Sequence, residues 1–148
     1  MKNVSTIHNC YGCGVCAVSC GKKIINIRLN EDGFYAPYID EPEKCMECGI
    51  CLDVCAFNHK ERALKPEEVQ IKSWAAWSND EAVRRKCSSG GIGFEIGKQL
   101  IEQGFHAVGC RYDINEQRAE HYIATTVEEF VQSIGSKYIQ SYTEEAFK

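Results

Sequence analysis

Ten of the 148 residues are cysteines, and eight of these fall in two runs of one spacing. Cys10, Cys13, Cys16 and Cys20 make the first run. Cys45, Cys48, Cys51 and Cys55 make the second, each 35 positions after its counterpart. Both runs read Cys-x2-Cys-x2-Cys-x3-Cys. Thiolates in this pattern suit a cubane. Three cysteines three residues apart on a tight loop reach three irons of one cube, and the fourth does not easily bend back to the same cube. A zinc ribbon needs two Cys-x2-Cys pairs and leaves the extra cysteines unused. Disulfides would impose no such register. The spacing therefore predicts two [4Fe–4S] clusters.

In two-cluster ferredoxins the fourth cysteine of each run ligates the other cluster. That rule gives Cys10, Cys13, Cys16 and Cys55 to one cluster, and Cys45, Cys48, Cys51 and Cys20 to the other. Such a crossover ties the two halves together, so the apo chain is expected to be poorly folded. Gly12, Gly14 and Gly49 sit beside ligands, where the backbone turns tightly and amides approach sulfur. The usual bacterial run ends in Cys-Pro, whereas Gly21 and Ala56 follow the fourth cysteines here. Proline is not a ligand, so cluster binding is unaffected. The departure argues against a simple, free-standing ferredoxin.

The rest of the composition is that of a soluble globular protein, 44% apolar and 26% charged. The net charge of −4 carries no basic stripe, which leaves no case for nucleic acid or an anionic membrane as partner. The sequence has no 18-residue apolar run and its start lacks the apolar core of a secretion signal, so a cytoplasmic protein without a membrane span is expected. Ten cysteines in that setting point to metal or redox chemistry.

Several elements must position the cysteines. Residues 24–29 and 34–39 are apolar, β-rich runs around Asp32-Gly33, which reads as a hairpin beside the clusters. Residues 59–72 are mostly polar and contain Pro66, as a linker with a short helix would. Beyond Ser73 the pattern changes. Residues 74–78 read as a strand, with Trp74 and Trp77 in the core or between domains. Ile92, Ile96 and Leu100 recur at helical spacing, giving a helix over 90–103 that stops at Gly104. Residues 105–110 and 121–125 read as strands, and 127–133 as a short helix. Another helix begins near Thr143. Strands alternating with helices indicate an α/β domain. The expected organisation is an α+β ferredoxin-like two-cluster domain at 1–60, a linker at 61–72, and an α/β domain at 73–148 that is cut short.

Arg84-Arg-Lys-Cys-Ser-Ser-Gly-Gly-Ile92 leads into that helix. Its serines offer an N-cap. Its glycines admit a ligand to the backbone, and free amides at a helix start favour phosphate. Read from the residues alone, a capped helix after a solvated basic turn is the commoner arrangement. A nucleotide-type cofactor with its pyrophosphate there is the other.

The order of these strings carries a resemblance. A two-cluster module, then Ser88-Ser-Gly-Gly91 and a helix, then Gly104-Phe-His-Ala-Val-Gly-Cys-Arg-Tyr112, then Gly135-Ser-Lys-Tyr-Ile-Gln-Ser141, resembles the coenzyme F(420) hydrogenase/dehydrogenase beta subunit family across the whole chain. The resemblance implies a flavoprotein with FAD, iron–sulfur clusters and a partner that gains or loses electrons, in some members coenzyme F(420). It places Ser88, Ser89, Gly90 and Gly91 at the flavin's phosphate or ribityl side, with Lys137 as a further contact. The family's chain normally continues into a larger domain that completes the flavin site. The reading is therefore an electron-transfer segment of a flavin-dependent oxidoreductase, not catalytically complete alone. It would work with a redox partner protein or a small electron carrier. The rivals are a stand-alone electron carrier whose second domain docks a partner protein, and a module whose clusters only stabilise the fold. Cys87 and Cys110 read as ordinary thiols, His8 and His59 as structural or solvent-exposed, and His106 and His121, in strand-like runs, as structural.

Overall fold

The two cysteine runs fold alike. A computed structural model describes residues 3–7, 10–63 and 71–148. His8 and most of the expected linker, including Pro66, lie outside the described residues. One-turn helix α1 spans Val15–Val18 and α2 spans Ile50–Asp53, again 35 positions apart. Each is entered through a left-handed glycine, Gly14 at φ 76° and Gly49 at φ 80°. Both glycines sit between the second and third cysteines of a run. The left-handed turn costs glycine nothing, and it swings the chain round so that the third cysteine starts a helix facing inward.

The chain divides into two compact units, Met1–Gln70 with Tyr142–Lys148, and Ile71–Ser141. In the first, β1 (Ile25–Leu29) pairs antiparallel with β2 (Tyr35–Ile39), Ile25 opposite Ile39 and Leu29 opposite Tyr35. This is the expected hairpin. Asn30 closes its turn, its Oδ1 accepting the amides of Asp32 and Phe34 at 3.1 and 2.8 Å. Alternation then turns Ile25 and Ile27 inward and Asn26 and Arg28 outward. The core joins Val4, Ala17, Ile24, Ile25 and Ile27 to the thiols of Cys16 and Cys51. Cys20 and Cys45 pack against its margin. Each buried aliphatic contributes roughly 1.5–3 kcal/mol. With cysteines forming part of the core itself, what the cysteines bind becomes part of what holds the unit together.

Tyr142–Lys148 belongs to this unit. Tyr142 meets Tyr35 edge-on at 5.5 Å, and Thr143 Oγ1 donates to the Cys13 carbonyl at 2.6 Å. A short 3-10 turn follows at Glu144–Phe147.

The second unit holds α3 (Glu81–Lys86), α4 (Ile92–Glu102), β3 (Ala107–Asp113), β4 (Arg118–Ala124) and α5 (Val127–Phe130). Asp80 caps α3, accepting the amides of Ala82 and Val83. Thr126 and Glu129 form a reciprocal capping box on α5. The inner face of α4 buries Phe94, Gly97 and Ile101 against Phe130 and Ala124, with the Phe94 and Phe130 rings stacked at 5.7 Å. On the hairpin, Glu120 is 6% exposed and takes both Arg111 and Arg118, at 2.8 and 3.1 Å.

Three expectations change. Residues 74–78 form no strand. Trp74 and Trp77 are 83% and 59% exposed, so neither belongs to the core. The segment instead lays its backbone against the glycine turn before α4, Ser78 N–H donating to the Gly90 carbonyl at 2.6 Å. The two strands do not alternate with helices. They pair antiparallel as one hairpin, because Asp113 Oδ1 gathers the amides of Asn115 and Glu116 into a turn that the sequence pattern left unread. The chain is thus mixed α and β with two small antiparallel sheets. Lastly, α4 has no serine cap. Its N-cap is Gly91, in the left-handed region at φ 81°. Among the described residues no helix is long and apolar enough to cross a membrane.

Candidate metal centre

The local repeat gives each cysteine a counterpart in a matching environment. Cys16 and Cys51 are buried, Cys13 and Cys48 are exposed, and Cys10, Cys20, Cys45 and Cys55 are in between. Helices α1 and α2 carry the buried pair on their inner faces.

Cys20, Cys45, Cys48 and Cys51 line one cavity of about 280 Å³, closed by Ile24, Ile25, Ile39 and Ile50. The fourth cysteine of the first run therefore stands with the first three of the second. The electrostatic neighbours trace the same grouping. Burial pushes the Cys51 thiol up, the Val4 amide opposes this, and Cys48 and Cys20 add to the rise. Burial likewise raises Cys10, against the Gly12 amide, with Cys13 and Cys55 adding. Cys16 is pushed up to about 12, first by burial, then by Cys10, Cys13 and Cys51. Cys10, Cys13, Cys16 and Cys55 are thus linked as neighbours, and the two groups meet at Cys16 and Cys51.

Among the described residues no three His, Cys, Asp or Glu side chains converge as a single metal ion requires. A zinc ion needs its sulfurs about 2.3 Å from one point. A cubane needs four thiolates around a space, and Cys20, Cys45, Cys48 and Cys51 surround one. The donor set is all thiol, with isoleucines along part of the wall, which fits an iron–sulfur cluster. Besides the Val4 amide at Cys51, two more donors point at sulfur. Gly12 N–H reaches Cys10 Sγ at 3.3 Å, and the Asn3 carboxamide reaches Cys45 Sγ at 3.6 Å. Sequence reading singled out Gly12 but missed Asn3, because nothing local connects positions 3 and 45. At the position matching Gly12 stands Glu47, which takes φ 51° in spite of its side chain.

The second unit brings together part of its candidate set. Ser88, Ser89 and Gly91 line a cavity of about 350 Å³ with Gly135 and Ser136. The two family-like strings thus meet, and Ser136 N–H donates to Ser88 Oγ at 2.9 Å. Gly90 does not line the cavity. A Cβ on it would lie 2.6 Å from the Ala76 carbonyl oxygen, so the crossing chain alone accounts for that glycine. Lys137 turns its ammonium to the carbonyls of Gln132, Ser133 and Ile134 at 3.1–3.3 Å, where it closes the short turn at Val131–Ser133.

The remaining candidates have ordinary partners. Cys87 and Cys110 both line the 350 Å³ cavity. His59 Nδ1 pairs with Glu61 at 2.6 Å and His121 Nδ1 with Ser141 Oγ at 2.9 Å. His106 is exposed and precedes β3.

Compared with known families, residues 9–59 match the 4Fe–4S dicluster domain. Residues 73–148 match coenzyme F(420) hydrogenase/dehydrogenase, beta subunit N-term. A search of the curated proteins finds no match. With the second match spanning just over half of its residues, this chain belongs to the coenzyme F(420) hydrogenase/dehydrogenase beta subunit family and carries a 4Fe–4S dicluster domain ahead of that family's N-terminal region.

Proposed function

We propose that the chain is the iron–sulfur electron-transfer segment of a flavin-dependent oxidoreductase. Two [4Fe–4S] clusters relay electrons between FAD and an external carrier, a redox partner protein or a small molecule such as coenzyme F(420). One cluster is held by Cys45, Cys48, Cys51 and Cys20, the other by Cys10, Cys13, Cys16 and Cys55. The observation that carries this reading is the cavity around Cys20, Cys45, Cys48 and Cys51, since four thiols from two distant runs share one walled space. The meeting of the two groups at Cys16 and Cys51 supports transfer from one cluster to the next. Exposed Cys13 and Cys48 give each cluster an edge toward a partner.

The domain organisation in this proposal is a ferredoxin-type domain at 1–60, a linker at 61–72 and a second domain of mixed α and β structure at 73–148. FAD belongs at the second unit's cavity, near Ser88, Ser89 and Gly91. The cavity is within the usual size of a ligand site, and the start of α4 suits a phosphate. Flavin would supply the hydride chemistry, and the protein supplies binding, orientation and electrostatics.

Lys137 and Gly90 favour a second reading in part. Both have work inside the unit that needs no flavin. A stand-alone electron carrier, its second unit docking a partner protein, accounts for them equally. Two experiments separate the readings. Reduction by dithionite under electron paramagnetic resonance should give fast-relaxing, reversible signals, and a silent or irreversible result removes electron transfer altogether. Titration with FAD should quench flavin fluorescence saturably, while no binding leaves the carrier reading.

A further inference from the structure

We infer that Asn3 is a positioning residue for one cluster, one that raises the reduction potential of the cube on Cys45 and sets it apart from the other. The inference rests on the cluster ligation proposed above. Asn3 is 1% exposed and lines the cavity that Cys20, Cys45, Cys48 and Cys51 surround. A buried carboxamide must place both its ends. Its Oδ1 accepts from the Ser5 amide at 3.0 Å and from the Ser5 hydroxyl at 2.7 Å. A backbone N–H can only donate, so this end is the oxygen and the other is the NH2 group. That group is aimed at Cys45 Sγ, 3.6 Å away and 42 positions along the chain. The orientation is locked by the turn at Val4–Thr6, for which Asn3 is the N-cap.

At the matching cysteine of the first run the donor is different. Cys10 Sγ receives the Gly12 backbone amide, a donor that comes from the main chain and not from a side chain. Cys45 receives a side chain from outside its own run. The duplication therefore leaves two near-equivalent sites with unlike sulfur donors. An electron added to a cube increases the negative charge on its sulfurs, and an N–H aimed at one of them favours the reduced state. An unequal pair of potentials gives a relay a direction of travel.

The test uses the whole reconstituted chain with Asn3→Leu, which keeps the branched shape and removes the donor, and Asn3→Asp, which keeps the oxygen toward Ser5 and turns an acceptor toward Cys45. Iron and sulfide are measured first, and redox titrations monitored by electron paramagnetic resonance follow. In Asn3→Leu one of two midpoints should move to lower potential, by about a tenfold change in the reduced-to-oxidised ratio, which is about 59 mV for one electron. Asn3→Asp should move the same midpoint further, and the other should stay. With full iron and sulfide, two unmoved midpoints overturn the inference, as does an equal shift of both. Absence of iron and sulfide from the unmutated chain defeats the ligation reading instead. Where Asn3→Leu loses a cluster, electron–nuclear double resonance on unmutated protein with 15N in asparagine side chains decides. A 15N coupling to a reduced cluster is expected, and none overturns the inference.

Discussion

Gly97 packs directly against a buried ring in the second unit. It faces inward from α4, and a Cβ built there would lie 2.1 Å from Cε1 and 2.4 Å from Cζ of Phe130. Carbon atoms prefer about 3.5–4.0 Å, so in Gly97→Ala the ring must retreat by more than about 1 Å. It has little room, being 7% exposed with Phe94 stacked on it. Overpacking typically costs about 1–3 kcal/mol, and this site belongs at the upper end. Alanine returns about 1 kcal/mol of helix propensity. The net expectation is a loss of about 2 kcal/mol. Gly93 lies on the same helix, is exposed, and has nothing within 4 Å of an added Cβ. Gly93→Ala should therefore gain about 0.5 kcal/mol, as a first-turn position realises only part of the propensity. Native-state hydrogen exchange of the α4 amides reads both variants locally, whatever the stability of the other unit. Protection in Gly97→Ala equal to or above that of the parent would refute the packing argument. So would a loss in Gly93→Ala as large as that in Gly97→Ala.

Three further predictions concern charge and ligation. Replacing Glu120 by Gln leaves Arg111 and Arg118 without their shared carboxylate and should cost roughly 1–3 kcal/mol, read by exchange of the β3 and β4 amides. An unchanged hairpin would show that the ion pairs add nothing. Hydrogen bonds from the Thr125 amide and hydroxyl hold the Glu129 carboxyl below its ordinary value. Its contribution to stability is then fully present above about pH 4.3, the unfolded value, and is lost as pH falls through the lower folded value. The Glu129 carboxyl carbon should titrate in nuclear magnetic resonance with a midpoint below about 4.3, and one at or above it contradicts the hydrogen bonds from Thr125. For the exchanged fourth cysteines, Cys20→Ala, Cys48→Ala and the double variant should each lose about four irons, whereas Cys20→Ala with Cys13→Ala should lose about eight. The reverse pattern would place Cys20 on the cluster of its own run.

The two cysteine runs left a clearer trace in the local backbone than the segments beyond them did. A 35-residue register is a statement about local chain geometry, and Gly14, Gly49, α1 and α2 repeat it in the backbone. The hairpin at 25–39 and the helix at 92–102 also follow from near-neighbour rules, alternation and four-residue steps. Readings changed where apolar pattern and spacing carry no trace of the bonding partner, whether it is near or far. Apolar Trp74 and Trp77 resemble a strand, but no strand pairs with them among the described residues. The runs at 105–110 and 121–125 look like parts of a βα alternation until the Asp113 turn joins strands 107–113 and 118–124. Lys137, which the resemblance offers as a cofactor contact, turns its ammonium to three carbonyls beside it. Asn3 carries no signal at all, since its meaning lies in a sulfur 42 positions away.

The central claim is that eight cysteines hold two cubanes. Iron and acid-labile sulfide, measured per chain after anaerobic reconstitution, test it most directly. About eight of each are predicted, four for each cubane. About two zinc ions per chain with no sulfide would contradict it.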